Sequence, residues 1–143
     1  MNVASILKSK GRGVVTTKSD VSLLDIAKLL EQHGIGCVVV EGDEGKVAGI
    51  VSERDLVRAI GRSGTKVLKE PVSAFMTTTV VTARESDTID RIMAEMTTHR
   101  FRHMPIVERG RLIGLVSIGD VVKMRIAEAE MEAAAMRDYI ATG

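Results

Sequence analysis

The chain has 143 residues, of which 45% are hydrophobic and 27% charged, so it can bury a domain-sized core and is too short for a large multidomain enzyme. Twenty basic and nineteen acidic side chains give a formal net charge of +1, and aromatic residues make up only 2%. Because nucleic-acid binders need a basic surplus and stacking residues, we expect a soluble globular protein that binds no nucleic acid.

The N-terminal segment and the single cysteine indicate the cellular compartment of the protein. The apolar stretch before Lys8 is too short for a signal peptide, and no uncharged apolar run is long enough to cross a bilayer. The single cysteine, Cys37, lies beside a run of valines and has no partner for an intramolecular disulfide, which is typical of a reducing compartment. We therefore expect a cytoplasmic protein without a membrane partner. The segment Gly11 to Gly13 predicts a flexible lead-in to the first strand.

The sequence repeats itself. Val14-Val15-Thr16 recurs as Val80-Val81-Thr82, and His33 and His99 keep the same offset. One deletion later, the segment from Gly49 to Asp55 recurs as the segment from Gly114 to Asp120. Two homologous halves therefore make up the chain.

The first half predicts five elements in the order β-α-β-β-α. Val14 to Thr16 is rich in β-forming residues, and Ser22 to Gln32 spaces its apolar residues as a helix does. Ile35 to Val40 is short and β-branched, as buried strands are. A turn at residues 42–45 leads to a strand over Val47 to Val51, and a helix follows.

The second half predicts the same order. Its strands are Val80 to Thr82, Met104 to Val107 and Leu112 to Val116, with a turn at Arg109-Gly110. The fold class is therefore α+β, with two β-α-β-β-α repeats. We place the first repeat at residues 1–60, a linker at 61–71, the second repeat at 72–126 and a C-terminal helix extension at 127–143.

The last helix of each half begins with a repeated motif, Ser52-x-x-Asp55 and Ser117-x-x-Asp120. One interpretation is a capping box, in which serine and aspartate satisfy free amides at the helix start. The other is a nucleotide site, because a helix start attracts phosphate and a carboxylate can accept both hydroxyls of a ribose. The motif alone is compatible with both.

The repeated Gly-h-h-Ser-x-x-Asp motif, where h is hydrophobic, together with the segment Phe101 to Val107, resembles the cystathionine-β-synthase (CBS) domain family. Two copies without an attached catalytic or channel domain are similar to a stand-alone tandem pair, called a Bateman module. The resemblance implies repeats packed through their sheets about a pseudo-twofold axis, with two clefts for AMP, ADP, ATP, NAD or S-adenosylmethionine. It also implies a regulatory function and frequent dimerisation.

The resemblance further implies which residues bind the nucleotide. In the first cleft, Ser52 and Asp55 would hold phosphate and ribose, Thr16 would lie at the strand edge, and the backbone of Ile35, Gly36, Cys37 and Val38 would face the adenine. In the second cleft, Ser117 and Asp120 would take the same roles, completed by Thr82, Arg102, His103, Met104 and Pro105.

The two clefts differ in charge. Arg54 stands where the second motif has Gly119, and Arg102 and His103 stand where the first half has Gly36 and Cys37. An arginine can bind phosphate through paired hydrogen bonds, although Arg54 can equally belong to a solvated helix face. S-adenosylmethionine has no phosphate and would leave both arginines without an anion.

The sequence contains no catalytic motif. His33 and His99 take equivalent positions at helix ends without metal-ligand spacing around them, which favours a structural role over a zinc site. A phosphate-binding glycine loop with lysine, a nucleophile elbow and a metalloprotease motif are all absent. We expect no enzymatic activity, no catalytic cofactor and no metal.

The end of the chain predicts a long helix with an apolar seam at heptad spacing, formed by Val122, Ile126, Ala129, Ala133, Met136 and Ile140. The seam favours a homodimer formed through the repeats and this helix, and the alternative is a helix that packs on its own chain.

Taken together, these observations predict a sensor that binds AMP, ATP or NAD(H) and signals by conformational change to an unidentified effector protein acting in trans. The alternatives are a ligand-free interaction module and a sensor of S-adenosylmethionine.

Overall fold

The computed structural model describes residues 1–142 and has the mixed α and β content that the repeats predict. Its helices and strands, in chain order, are α1 (Val3–Lys10), β1 (Thr16–Thr17), α2 (Leu23–His33), β2 (Cys37–Glu41), β3 (Val47–Ser52), α3 (Glu53–Ser63), α4 (Ile89–His99), β4 (His103–Glu108), β5 (Arg111–Ser117) and α5 (Ile118–Thr142). Three short 3-10 helices cover Asp43–Gly45, Thr65–Lys69 and Val72–Ala74.

The two halves begin their first long helix in the same way. The Ser22 hydroxyl accepts a hydrogen bond from the amide of Asp25 at 3.1 Å at the start of α2, and Thr88 accepts one from Arg91 at 3.2 Å at the start of α4. Both helices end at the equivalent histidine, as predicted. Local capping therefore reproduces the repeat.

The first half forms a three-stranded sheet in which β2 is central. β1 runs parallel to β2, and β3 pairs antiparallel with β2 so that Cys37 lies opposite Ser52. The valines of β2 are fully buried, as the β-branched run predicts. Strand β1 begins at Thr16, two residues later than predicted.

The second half has only two strands, so the predicted strand over Val80 to Thr82 is wrong. In the first half the amide of Val39 donates to the carbonyl of Val15 at 3.3 Å. The equivalent donor in β4 would be Pro105, which has no N–H. The parallel pairing shrinks to a single bridge between Ala83 and Ile106.

The first segment of each half packs in the hydrophobic core of the other half. Helix α1, which the sequence analysis did not predict, buries Val3, Ile6 and Leu7 among the apolar side chains of the second half. The segment 72–76 packs on the first half in return, with Val72 fully buried there. We call this arrangement the segment exchange.

The repeated glycine of the Gly-h-h-Ser motif marks where the exchanged segment crosses a strand. A Cβ at Gly49 would lie 2.6 Å from the Met76 sulfur, and one at Gly114 would lie 2.6 Å from Cδ2 of Leu7. Glycine therefore allows the exchanged segment to approach the strand closely in both halves.

Helix α5 is a single helix of 25 residues. Every residue of its predicted seam is exposed, including Ile126 at 54%. The alternative that the seam packs on its own chain is therefore wrong. Across residues 1–142 no helix combines the length and apolar character needed to cross a membrane.

Candidate functional site

A cavity of about 490 Å³ opens where the two halves meet, and we refer to it as the first cleft. The first half contributes the start of β2 with the residue before it, part of β3 and the first turns of α3. These residues are Gly36, Cys37, Ile50, Ser52, Glu53, Arg54, Asp55 and Arg58. The second half contributes the segment before α4 and the segment between α4 and β4: Thr77, Thr79, Val80, Val81, His99, Arg100, Phe101, Arg102 and His103.

The Ser52-x-x-Asp55 motif forms a complete capping box on the wall of the first cleft. Asp55 Oδ2 accepts hydrogen bonds from the Ser52 amide at 2.8 Å and from the Ser52 hydroxyl at 3.1 Å. The Asp55 amide in turn donates to Ser52 Oγ at 3.3 Å. Capping and ligand contact are compatible here, because the capped end of α3 faces the cavity.

The Ser117-x-x-Asp120 motif has the same local geometry and a different surrounding. Asp120 Oδ2 accepts from the Ser117 amide at 2.9 Å, and the Asp120 amide donates to Ser117 Oγ at 3.2 Å. In addition, Lys10 Nζ at the end of α1 contacts Asp120 Oδ2 at 2.5 Å. Burial raises the pKa of Asp120, but the hydrogen bonds from Lys10 and Ser117 outweigh it, so the pKa lies below its ordinary value.

Four arginines line the first cleft, two from each half: Arg54, Arg58, Arg100 and Arg102. Within residues 1–142 none of the four takes part in an ion pair. Among the residues that line this cavity, two are acidic, Glu53 and Asp55. The cavity therefore carries a positive surplus that an anion would balance.

His103 lies between the first cleft and the second motif. Its Cε1 and a carboxylate oxygen of Glu53 both approach Gly36, at 3.5 and 3.4 Å from where a Cβ would stand. Burial lowers the pKa of His103, Lys10 and Arg102 lower it further, and Glu53 and Asp120 oppose them. The net effect lowers the pKa of His103 and so favours its neutral form.

Cys37 touches the cavity, yet it is only 2% exposed. Burial, with the nearby Asp55 carboxylate, raises the pKa of its thiol to about 12. The thiolate form, which is the nucleophile, is therefore suppressed. Cys37 is therefore a buried core residue.

The remaining wall of the first cleft is apolar and aromatic. Ile50, Val80, Val81 and Phe101 supply it. The Phe101 ring stacks on His99, with ring centres 6.0 Å apart and planes inclined by 15°. Such a surface suits a flat, partly apolar group such as a purine.

The structure brings together seven of the residues predicted from the sequence: Gly36, Cys37, Ser52, Arg54, Asp55, Arg102 and His103. Arg102 and His103 were assigned to the second cleft, and they line the first instead. They do so because the end of the segment between α4 and β4 faces the start of α3 from the other half. A residue-by-residue transfer within one repeat cannot detect such a crossing.

Other predicted residues lie away from the first cleft. Thr16, Ile35, Val38, Thr82, Met104 and Pro105 do not line it, and Val38 and Met104 are fully buried in the two cores. Gly119 borders a shallow apolar hollow on α5, together with Ile118, Val122, Lys123 and Ile126. Within residues 1–142 no cluster of His, Cys, Asp and Glu could hold a metal ion.

The sequence analysis missed two of the four arginines. Arg58 follows Arg54 by one helical turn, and this spacing places both on the same face of α3. That signal was present in the sequence. Arg100 has no such signal, because its counterpart in the first half is Gly34.

Comparison with known proteins identifies the family. A family model described as the CBS domain matches residues 5–62 and 72–126. A mitochondrial CBS domain-containing protein of Arabidopsis thaliana is 32% identical over 99% of this chain and 72% of that protein.

Solved structures similar to this chain also contain CBS domains. A CBS-domain containing protein from Agrobacterium tumefaciens is 48% identical, with a TM-score of 0.85 over 87% of this chain and 99% of that one. A CBS domain pair in complex with 5′-methylthioadenosine and S-adenosyl-L-methionine is 26% identical, with a TM-score of 0.77 over 87% of this chain and 98% of that one. The chain therefore belongs to the CBS domain family and contains a tandem pair of CBS repeats.

Proposed function

We propose that the first cleft binds an adenine nucleotide, as AMP, ATP or NAD(H), and that binding regulates a partner protein through the arrangement of the two repeats. The observation that carries the proposal is the combination of an open carboxylate-bearing helix start with four unpaired arginines in one cavity. The volume of about 490 Å³ lies within the usual range for small-molecule sites.

The phosphate is the part of the ligand that the charges favour. Arg54 and Arg58 reach the cavity from α3, and Arg100 and Arg102 reach it from the second half. Guanidinium groups bind phosphate oxygens through paired, charge-assisted hydrogen bonds. The dipole at the start of α3 also favours an anion.

The ribose and the base match the remaining wall. The Asp55 carboxylate uses one oxygen, Oδ2, for the capping box, and its second oxygen can accept a ribose hydroxyl. The apolar surface of Ile50, Val80 and Phe101 is suited to an adenine ring.

The position of the cleft supports a regulatory mechanism. Because both halves line the cavity, a bound nucleotide makes different contacts in different arrangements of the halves. A ligand shifts a conformational equilibrium by its difference in affinity for the two states.

S-adenosylmethionine is the second candidate, since a related CBS pair was solved with that ligand and 5′-methylthioadenosine. Both ligands contain adenosine and neither contains phosphate. The sulfonium of S-adenosylmethionine is positive, and four arginines without a carboxylate partner oppose it. The charges of the first cleft therefore favour a nucleotide.

The experiment is isothermal titration calorimetry of the chain with AMP, ADP, ATP, NAD, NADH, S-adenosylmethionine and 5′-methylthioadenosine. The chain offers a matched pair of variants, Asp55→Asn and Asp120→Asn, which alter equivalent capping boxes. We expect a phosphate-bearing nucleotide to bind, and Asp55→Asn to lose most of that affinity while Asp120→Asn keeps it.

Thermal denaturation gives a second measurement. Ligand at one hundred times its dissociation constant should add about 2.7 kcal/mol to the free energy of unfolding. If no ligand of the panel binds, the ligand-free module is correct, and the two motifs serve only as helix caps. If only S-adenosylmethionine or 5′-methylthioadenosine binds, the nucleotide proposal is wrong.

We also infer that the partner of the exposed seam on α5 is a second copy of this chain. The seam combines Val122, Ile126 and Ile140 with the small residues Ala129 and Ala133 at heptad spacing, which allows close approach of an identical helix. Helix α3, the equivalent helix of the first repeat, also carries an exposed apolar residue, Val57, at 70% exposure. Exposed apolar residues on equivalent helices of both repeats suit a symmetric pairing.

A further inference from the structure

Arg100 has an unusual backbone for its residue type. It follows the last residue of α4 with φ 57° and ψ 40°, in the left-handed region. A Cβ is sterically disfavoured there, and glycine is the usual residue at this position after a helix. The chain contains its own comparison, because Gly34 follows α2 with φ 62° and ψ 40°. The two halves share the turn and differ in whether it carries a side chain.

Arg100 lines the first cleft. Arg102 stands two residues away on the same wall, and Arg54 and Arg58 belong to the other half. Like charges gathered in one cavity repel one another unless an anion lies between them. A strained backbone persists where other contacts compensate for it, and an anionic ligand in the cavity would supply such contacts to an arginine.

We infer that Arg100 is a phosphate-binding residue of the first cleft, held in a left-handed turn that glycine would form more stably. The inference rests on the proposed function and deepens it, because it names a residue that distinguishes phosphate-bearing ligands from adenosine. The Gly34 turn of the other half shows that the fold itself does not need a side chain at this position.

The test measures stability and affinity on the same variants. Arg100→Gly removes both the strain and the guanidinium. Arg109→Gly is the matched control, because Arg109 also has a left-handed backbone, with φ 52° in the turn between β4 and β5, and does not line the cavity. Each variant is unfolded with denaturant and titrated with AMP, ATP and adenosine.

We expect Arg100→Gly and Arg109→Gly to unfold at a higher denaturant concentration than the wild type. We expect Arg100→Gly to bind AMP and ATP at least about tenfold more weakly, the loss of one charge-assisted hydrogen bond. Its affinity for adenosine should not change. Arg109→Gly should bind all three ligands as the wild type does, and Arg100→Lys should bind AMP more tightly than Arg100→Gly.

Three outcomes would count against the inference. If the wild type binds AMP or ATP and Arg100→Gly binds it equally well, Arg100 has no role and the proposed function stands. If Arg100→Lys is no better than Arg100→Gly, the charge is not what the position supplies. If the wild type binds no phosphate-bearing ligand, the inference and the proposed function are both wrong.

Discussion

Two aspartates in equivalent positions show how single residues make the two halves different. Asp55 and Asp120 close identical capping boxes at helix starts. Asp120 is also held by Lys10, whereas Asp55 opens onto a cavity with four arginines. The Lys10 ammonium binds Asp120 Oδ2, the same oxygen that closes the capping box. The two motifs thus share their capping bonds and differ in the charged side chains around them.

His103 responds to the charges of both motifs, and its titration can be tested. Burial, together with Lys10 and Arg102, holds its pKa below the ordinary 6.5, against the opposing effects of Glu53 and Asp120. The unfolded chain therefore binds a proton more readily than the folded one. It follows that the free energy of unfolding decreases as the pH falls from the ordinary pKa towards the lowered one.

Denaturant unfolding of the wild type and His103→Gln at about pH 7.5 and about pH 5.5 measures this effect. We expect the wild type to lose more stability than the variant between the two pH values. Equal losses would show that His103 titrates in the folded protein as it does in the unfolded chain.

At the scale of elements, the repeated glycines control how the exchanged segments cross the strands. At Gly49 a Cβ would meet the Met76 sulfur at 2.6 Å and the backbone oxygen of Thr77 at 2.9 Å. That oxygen is fixed by a hydrogen bond from the amide of Ile50 at 3.0 Å. At Gly114 a Cβ would meet only the side chain of Leu7, which has more freedom to adjust.

We therefore expect Gly49→Ala and Gly114→Ala each to lower the free energy of unfolding, by about 1–3 kcal/mol, with the larger loss at Gly49. Gly61→Ala is the control, because a Cβ there has open space within α3, and alanine should stabilise that helix by about 0.5–1 kcal/mol. Denaturant titration measures all three. A neutral Gly49→Ala would contradict the close approach.

Several elements were predictable from local sequence signals, and others depended on contacts between distant segments. The capped helices α2 to α4 and the buried strand β2 follow from side-chain spacing and caps that lie within one element. The prediction of a third strand in the second half was wrong because Pro105 lacks the amide N–H that its counterpart Val39 donates. Helix α1 was missed because its apolar face is covered by the other half.

The candidate site was predictable only where its residues lie within one element. Ser52 and Asp55 are found from the motif, because a helix start places them together. Arg102 and His103 line the first cleft in the structure, whereas the sequence analysis assigned them to the second. Their placement depends on how the two halves face each other, and no spacing within one repeat contains that information.

At the scale of the whole molecule, the exposed seam of α5 leads to a test of assembly. We expect sedimentation velocity to show a dimer for the wild type. Ile126→Glu should shift it to a monomer, because a charge would be buried in the helix pairing. Met131→Glu is the matched control, since Met131 is exposed on the same helix and lies off the seam.

Either of two results would exclude pairing through this face. One is a monomeric wild type, and the other is a dimer that Ile126→Glu leaves intact. Loss of the dimer in Met131→Glu as well would show that the contact is not confined to the seam.

The segment exchange makes the folding of each half depend on the other half. A half taken alone lacks part of its core, because α1 fills the second half and the segment 72–76 fills the first. The two halves should therefore unfold in one cooperative transition. The exchange of equivalent segments within this chain resembles the exchange of identical elements between the protomers of a domain-swapped dimer, with both partners on one chain.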